Sequence, residues 1–148
     1  MSTTLFNAPE YDPAKERRRK QKIAGAILLI IILLGLAWLF RNYPEERVVN
    51  HFFDALQQKN YQKAYGIWTA DPHWQQHAQQ HKTYPFSEFY LDWGPGGEYG
   101  PIHSYHIEGT ANPPHGSGVV VVVTVNERKE PARIWVEKSD KSLTFSPY

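Results

Sequence analysis

The segment IAGAILLIIILLGLAWLF, residues 23–40, has no charge and no strongly polar side chain over eighteen consecutive positions. As an α-helix rising 1.5 Å per residue it spans roughly 27 Å, close to the hydrocarbon thickness of a bilayer. A helix in a soluble core seldom lacks a polar face over this length. The sequence therefore predicts a transmembrane helix over residues 23–41, with anchoring side chains at Ile23, Leu28, Ile31, Leu34, Trp38 and Phe40.

Cations flank this segment unequally, and the bias predicts its orientation. Only Arg41 and Arg47 follow it closely, whereas Arg17, Arg18, Arg19, Lys20 and Lys22 precede it as topology determinants. Because cytoplasmic flanks carry the excess of Lys and Arg, we expect the amino terminus in the cytoplasm. Residues 1–22 are then a basic, disordered cytoplasmic tail, and residues 44–148 form an extracytoplasmic domain, periplasmic in a Gram-negative bacterium.

A cleaved signal peptide is the competing interpretation of the same segment. Gly35, Leu36 and Ala37 form a small-x-small triplet of the kind found at cleavage sites. The apolar core is, however, longer than the 7 to 15 residues usual for a signal peptide. The length favours an uncleaved anchor.

Cysteine is absent, which excludes disulfides, thiolate nucleophiles, cysteine-based zinc sites and iron–sulfur ligation. Five Trp, nine Tyr and seven Phe supply large apolar side chains instead. Their burial can hold together a domain of about 100 residues without cross-links.

Helices are predicted in the first part of this domain. Pro44 followed by two acids is typical of a helix amino terminus, and apolar residues then recur at helical spacing to about Lys59. A second helix follows Tyr61, with its buried stripe ending at Trp68. Asp71 as a cap and Pro72 after it predict a third helix to about Lys82.

Strands are predicted after Pro85. The segments are FSEFYLDW, IHSYHIEGT, VVVVVTV, ARIWVE and SLTFS, separated by turn residues. The valine run, Val119 to Val125, lacks polar alternation, so we expect it in mid-sheet with both faces covered. The predicted fold class is α+β, with a single transmembrane helix followed by short helices packed on a curved antiparallel sheet.

The segment VVNHFFDALQQKNYQKAYGIW resembles the opening of small exported NTF2-like domains, and YGPIHSYHI and SDKSLTFS fit the hairpins of that family. The resemblance covers about residues 45–148. It implies a cone-shaped pocket in which enzymes of the superfamily place acids and bases. Tyr90, Asp92, Tyr105 and His106 are the candidates for that chemistry, although no pair has a diagnostic spacing.

Three histidines, His73, His77 and His81, recur at intervals of four in HWQQHAQQH. On a helix they share one face, which raises the possibilities of a metal site or a pH sensor. A closed zinc site needs four ligands and nearby carboxylates are scarce, so a solvated polar face is the favoured interpretation. His103 and His106 are three apart in a predicted strand and point to opposite faces. The sequence predicts no cofactor and no metal.

Two further motifs have ordinary explanations. GPGGEYGP lacks the GK[ST] of a phosphate-binding loop and is predicted to be a hairpin loop. The basic run KERRRKQK lies just before the predicted span, so topology and contact with anionic lipid explain it without nucleic acid.

The sequence favours a non-catalytic, membrane-anchored binding or scaffold domain. Its expected partner is an envelope protein, a second copy of the chain or a small apolar ligand. Two alternatives remain: an assembly factor for a membrane complex, secretory or respiratory, and an NTF2-like isomerase or dehydratase. An enzyme requires a closed pocket with at least two perturbed titratable groups, whereas a scaffold predicts a filled cone and an exposed apolar patch.

Overall fold

The computed structural model describes residues 12–148 and divides the chain into two compact units, Met1–Arg41 and Asn42–Tyr148. The described part of the first unit is one helix followed by turn residues, and the second unit is an α+β domain. Within residues 12–148 the α-helices are α1 (Pro13–Leu39), α2 (Tyr43–Gln57), α3 (Tyr61–Trp68) and α4 (Phe86–Trp93). The strands in the same part of the chain are β1 (Tyr105–Ala111), β2 (Gly118–Val125), β3 (Ala132–Glu137) and β4 (Leu143–Phe145).

Helix α1 covers residues 23–39 of the predicted span, ends two residues before the predicted end, and extends beyond the span towards the amino terminus. Asp12 caps it by accepting hydrogen bonds from the backbone N–H groups of Ala14 and Lys15, and Pro13 occupies the first helical position. No residue of α1 is buried, and the helix is long and apolar enough to cross a membrane. Residues 13–22, expected to be disordered, are helical; the rest of the predicted tail, residues 1–11, lies outside the described residues.

Helices α2 and α3 confirm the expectations for the start of the domain. Asn42 precedes α2, and Val49, Phe52, Phe53 and Leu56 form its buried stripe. Asn60 then caps α3, because its side chain accepts a hydrogen bond from the backbone of Lys63. These two amphipathic helices pack against each other, and α2 also contacts the first three strands.

The segment FSEFYLDW is helix α4, so the strand predicted there is wrong. Phe86, Phe89 and Trp93 recur at intervals of three and four, and Pro85 lies at the cap position. This spacing places Phe89 and Trp93 on one buried face, where they pack against α3. The aromatic residues that suggested a strand serve here as the apolar stripe of a helix.

The third predicted helix, residues 71–82, is also wrong. Successive turns follow Asp71, and only Ala78–His81 form a short 3₁₀ helix. One Asp71 carboxylate oxygen accepts the His73 backbone N–H, and the other contacts two imidazoles of the same segment. These local hydrogen bonds compete with the backbone ladder of an α-helix.

The sheet is antiparallel, with the strands in the order β1-β2-β3-β4. Val121 of β2 lies opposite Thr110 of β1 and Ile134 of β3, which fixes the register at the centre. The β1–β2 register shifts between Ile107 and Gly109, where a bulge adds a residue to β1 and bends the strand.

The valine run is covered on both faces only in its first half. Its odd-numbered residues, Val119 to Val125, are fully buried on the helix side. On the other side Val120 is buried opposite Trp135, whereas Val122 is partly exposed. Cover on that side comes in part from the ring of Trp135, which lies over Gly118 on the neighbouring strand.

The space between the helices and the sheet is filled by aromatic rings. The ring of Phe52 lies 5.1 to 6.1 Å, centroid to centroid, from the rings of Phe53, Trp68, Phe89 and Trp93. Most of these contacts are tilted or edge-to-face, the geometry that aromatic pairs prefer. This cluster fills the interior between the helices and the sheet with aromatic side chains.

Candidate binding groove

Two of the four predicted acid–base residues, Tyr105 and Asp92, each take part in a tyrosine–aspartate hydrogen bond. They are not paired with each other. Tyr105 donates its hydroxyl proton to an Asp54 carboxylate oxygen at 2.6 Å, and Tyr84 donates to Asp92 at 2.7 Å. Burial, followed by the neighbouring carboxylate, raises the pKa of both tyrosines. Both hydroxyls therefore stay protonated and act as hydrogen-bond donors that hold the fold.

The remaining predicted residues are exposed and separated. The ring of Tyr90 packs edge-on against Tyr61 at 5.1 Å, and His106 is exposed in β1 opposite Thr124. His103 precedes β1, contrary to its predicted place in the strand, and its backbone carbonyl accepts a hydrogen bond from Gln57. The structure does not bring the four acid–base candidates together.

The three histidines at intervals of four do not line one helical face. Two of them, His77 and His81, contact the carboxylate of Asp71. One oxygen of Asp71 lies 2.9 Å from His77 Nδ1 and 2.9 Å from His81 Nε2, whereas His73 contributes only its backbone N–H. Hydrogen bonding, chiefly to His81, lowers the pKa of Asp71 to about 2. Within residues 12–148, no group of three or more His, Asp or Glu side chains is arranged to hold a metal ion.

An open groove of about 690 Å³ lies between α2, α3, the segment after α3 and the β3–β4 turn. We call it the α2–α3 groove. Its apolar lining is formed by Val48, Ile67, Ala70, Pro72 and Trp74. Its polar lining is formed by His51, Asn60, Gln62, Lys63, Gln75, Asp140 and Lys141.

Trp74 forms a fixed wall of the α2–α3 groove. Its ring stacks on Phe86 at 5.0 Å and packs edge-on against Tyr65 at 4.8 Å. Its indole N–H donates to the Gln62 backbone carbonyl at 3.2 Å. Gly66 lets the segment that carries Trp74 pack closely against α3, because a Cβ there would lie 3.3 Å from the Asp71 backbone oxygen. The wall is held on three sides by contacts within the domain.

An ion pair with a buried carboxylate and a partly exposed ammonium anchors the β3–β4 turn beside the groove. The Lys141 ammonium donates to Glu45 Oε1 at 2.8 Å and to the Lys138 backbone carbonyl at 2.7 Å. The Glu45 side chain is 4 % exposed, and its other oxygen has no hydrogen-bond partner among the described residues. The pair joins the first turn of α2 to a turn almost one hundred residues later in the chain.

The α2–α3 groove is suited to binding. Its volume lies within the 300 to 1,000 Å³ usual for ligand sites, and apolar walls with a few polar groups are typical of such sites. An apolar segment could lie against Val48 and Ile67 while its polar groups meet Lys63 and Gln75 at the rim. The geometry provides contact area and hydrogen-bonding groups.

Sequence reasoning missed this groove. From the sequence, Glu45 is predicted only as one of the two acids after Pro44 at a helix start, and Lys141 only as one of the turn residues before the last strand. One available signal was the length of the loop between Trp68 and Phe86, because long loops in compact domains are often functional. Comparisons with protein-family models, curated proteins and solved structures find no match to this chain.

Proposed function

We propose that this protein is a single-pass membrane-anchored binding protein. In this proposal α1 crosses the bilayer with the amino terminus in the cytoplasm, and residues 44–148 form a non-catalytic extracytoplasmic domain. The domain binds an envelope protein partner or a small apolar ligand in the α2–α3 groove. The cationic excess before the apolar segment supports this orientation.

The α2–α3 groove is the observation on which the binding proposal rests. It is open, its apolar lining includes Val48, Ile67 and Trp74, and the Trp74 wall is held by ring stacking. A preformed site of this kind loses little conformational entropy when it is filled, which favours affinity.

Membrane anchoring gives such a domain a mechanism. A tether confines the groove to a layer near the bilayer, so a partner in the same membrane meets it at a high effective concentration. Assembly of a secretion or respiratory complex would use this effect directly. The NTF2-like resemblance remains our fold hypothesis for the domain, supported by leading helices followed by an antiparallel sheet.

Site-specific photocrosslinking tests the proposal in native membranes. A photoreactive amino acid at Gln75, on the groove rim, is compared with one at Lys129, an exposed residue that does not line the groove. We expect a defined adduct from position 75, lost when Val48→Glu places a charge in the apolar lining, and no such adduct from position 129. Mass spectrometry then identifies the captured molecule.

Two results would contradict the proposal. Equal labelling from positions 75 and 129, unaffected by Val48→Glu, would remove the groove as the binding site. Protection of the domain from a protease added to spheroplasts would place it on the cytoplasmic side and refute the proposed topology.

A further inference from the structure

The first three turns of α1 gather four cations on one face. Successive residues of an α-helix are rotated by about 100°, so positions 15, 18, 19 and 22 fall within an arc of roughly 100°. Their side chains are exposed and, with Ile23, line a shallow cleft along the helix. We call this set the basic stripe: Lys15, Arg18, Arg19 and Lys22.

The other two cations of the segment lie away from the stripe. Arg17 and Lys20 fall on the opposite side of the helix by the same rotation. The Lys20 ammonium is paired with a Glu16 carboxylate oxygen at 2.8 Å. The charge of this segment is therefore asymmetric around the helix.

The basic stripe continues directly into the apolar span. Lys22 adjoins Ile23, the first residue of the apolar segment, and Lys15 lies about 10 Å further along the axis at 1.5 Å per residue. The polar layer on each side of a bilayer is roughly 5 to 7 Å thick. If α1 spans the membrane as proposed above, Arg18, Arg19 and Lys22 lie at or just outside the depth of the phosphate groups.

We propose that the basic stripe is a binding site for the phosphate headgroup of an anionic phospholipid in the leaflet at the amino-terminal side. Guanidinium groups bind phosphate oxygens through paired hydrogen bonds, which suits Arg18 and Arg19. Ile23 at the end of the cleft meets the beginning of the acyl chains. Charge and apolar contact on one continuous helix favour a lipid over a free anion.

The experiment uses the full chain reconstituted into vesicles of phosphatidylcholine and phosphatidylglycerol in equimolar amounts. Electron spin resonance compares how strongly spin-labelled forms of the two lipids associate with the protein. The key variant is Arg18→Gln with Arg19→Gln. Its matched control is Arg17→Gln with Lys20→Gln, which removes the same number of cations from the same segment and so keeps the same topology bias.

We expect the native chain to prefer phosphatidylglycerol. Each cation near a charged surface accounts for roughly a fivefold change in association. The stripe variant should therefore lose at least about fivefold of the preference, and the control should lose clearly less, because Lys20 is already paired with Glu16. High salt should weaken the preference of the native chain, because it screens charges at the surface.

Three results would overturn the proposal while leaving the membrane anchor in place. The native chain could show no preference, or the two double variants could lose it equally, which would indicate a general charge effect. Inorganic phosphate could abolish the preference where chloride at equal ionic strength does not, which would assign the stripe to a free anion. Flotation with pure phosphatidylcholine vesicles is a separate readout: a chain that does not float with them refutes the anchor itself, and the lipid site with it.

Discussion

The ion pair between Glu45 and Lys141 allows the sharpest test of the domain's energetics. We expect Lys141→Met to destabilise the domain by about 2 kcal/mol. Removing one partner of a fully buried pair costs about 3 to 5 kcal/mol, because the other charge is left without compensation. Lys141 is 36 % exposed, so water screens part of this penalty and reduces it. Methionine keeps the length of the stem at a residue whose φ is +63°.

A second substitution should reverse part of the loss. In the native background Glu45→Gln removes a charge-assisted hydrogen bond and should cost about 1 to 2 kcal/mol. In the Lys141→Met background the same change removes an uncompensated buried charge and should recover about 1 kcal/mol. The change of sign is the diagnostic feature, because additive effects cannot produce it.

Urea unfolding of the full chain in detergent micelles, followed by near-ultraviolet circular dichroism, measures these free energies. Lys138→Met is the matched control, since the Lys138 side chain is exposed. Among the described residues its ammonium contacts the side-chain oxygen of Asn112 at 3.4 Å. This substitution should change stability by less than about 0.5 kcal/mol. A Lys141→Met value equal to that control, or a Glu45→Gln effect of the same sign in both backgrounds, would refute the reasoning.

Three further predictions concern the core, the carboxylate cluster and the sheet. Phe52→Ala should cost about 3 to 5 kcal/mol in urea unfolding because it empties the centre of the ring cluster, whereas Phe145→Ala, at a half-exposed ring, should cost clearly less. The native chain should be more stable than Asp71→Asn, with the full difference in unfolding free energy present above about pH 4 and lost as the pH falls towards 2. The reason is that the folded pKa of this carboxyl lies below its unfolded value, and a pH-independent difference would contradict it. Gly118→Ala should lower the thermal midpoint, since its Cβ would clash with a backbone oxygen at 2.3 Å, while Gly109→Ala meets nothing within 4 Å and should be close to neutral; equal effects would exclude the clash as the cause.

Elements with a strong local pattern could be predicted from the sequence. The apolar span lacks the polar face that a helix in a soluble core usually has, and the stripe ending at Leu56 follows helical spacing closely. Three strands, β2 to β4, lie within two residues of their predicted positions because turn residues bound each one. In these segments the local preference and the tertiary packing agree.

Elements that depend on contacts between distant residues could not be predicted. FSEFYLDW is as aromatic as a strand, and its packing against α3 decides that it is a helix. The histidine spacing suits a helix, yet the segment forms turns in which His77 and His81 both contact the Asp71 carboxylate. The α2–α3 groove is lined by separate segments of the chain, so no local motif marks it.

The neighbouring indoles of Trp68 and Trp93, with ring centroids 5.6 Å apart, give this domain an intrinsic optical signal. Chromophores at such a separation couple their electronic transitions, and the coupling depends on the fixed angle between the rings. If the interior loses its fixed packing while the helices persist, as in a molten globule, this coupling is lost. Circular dichroism could therefore distinguish loss of side-chain packing from loss of secondary structure without any added label.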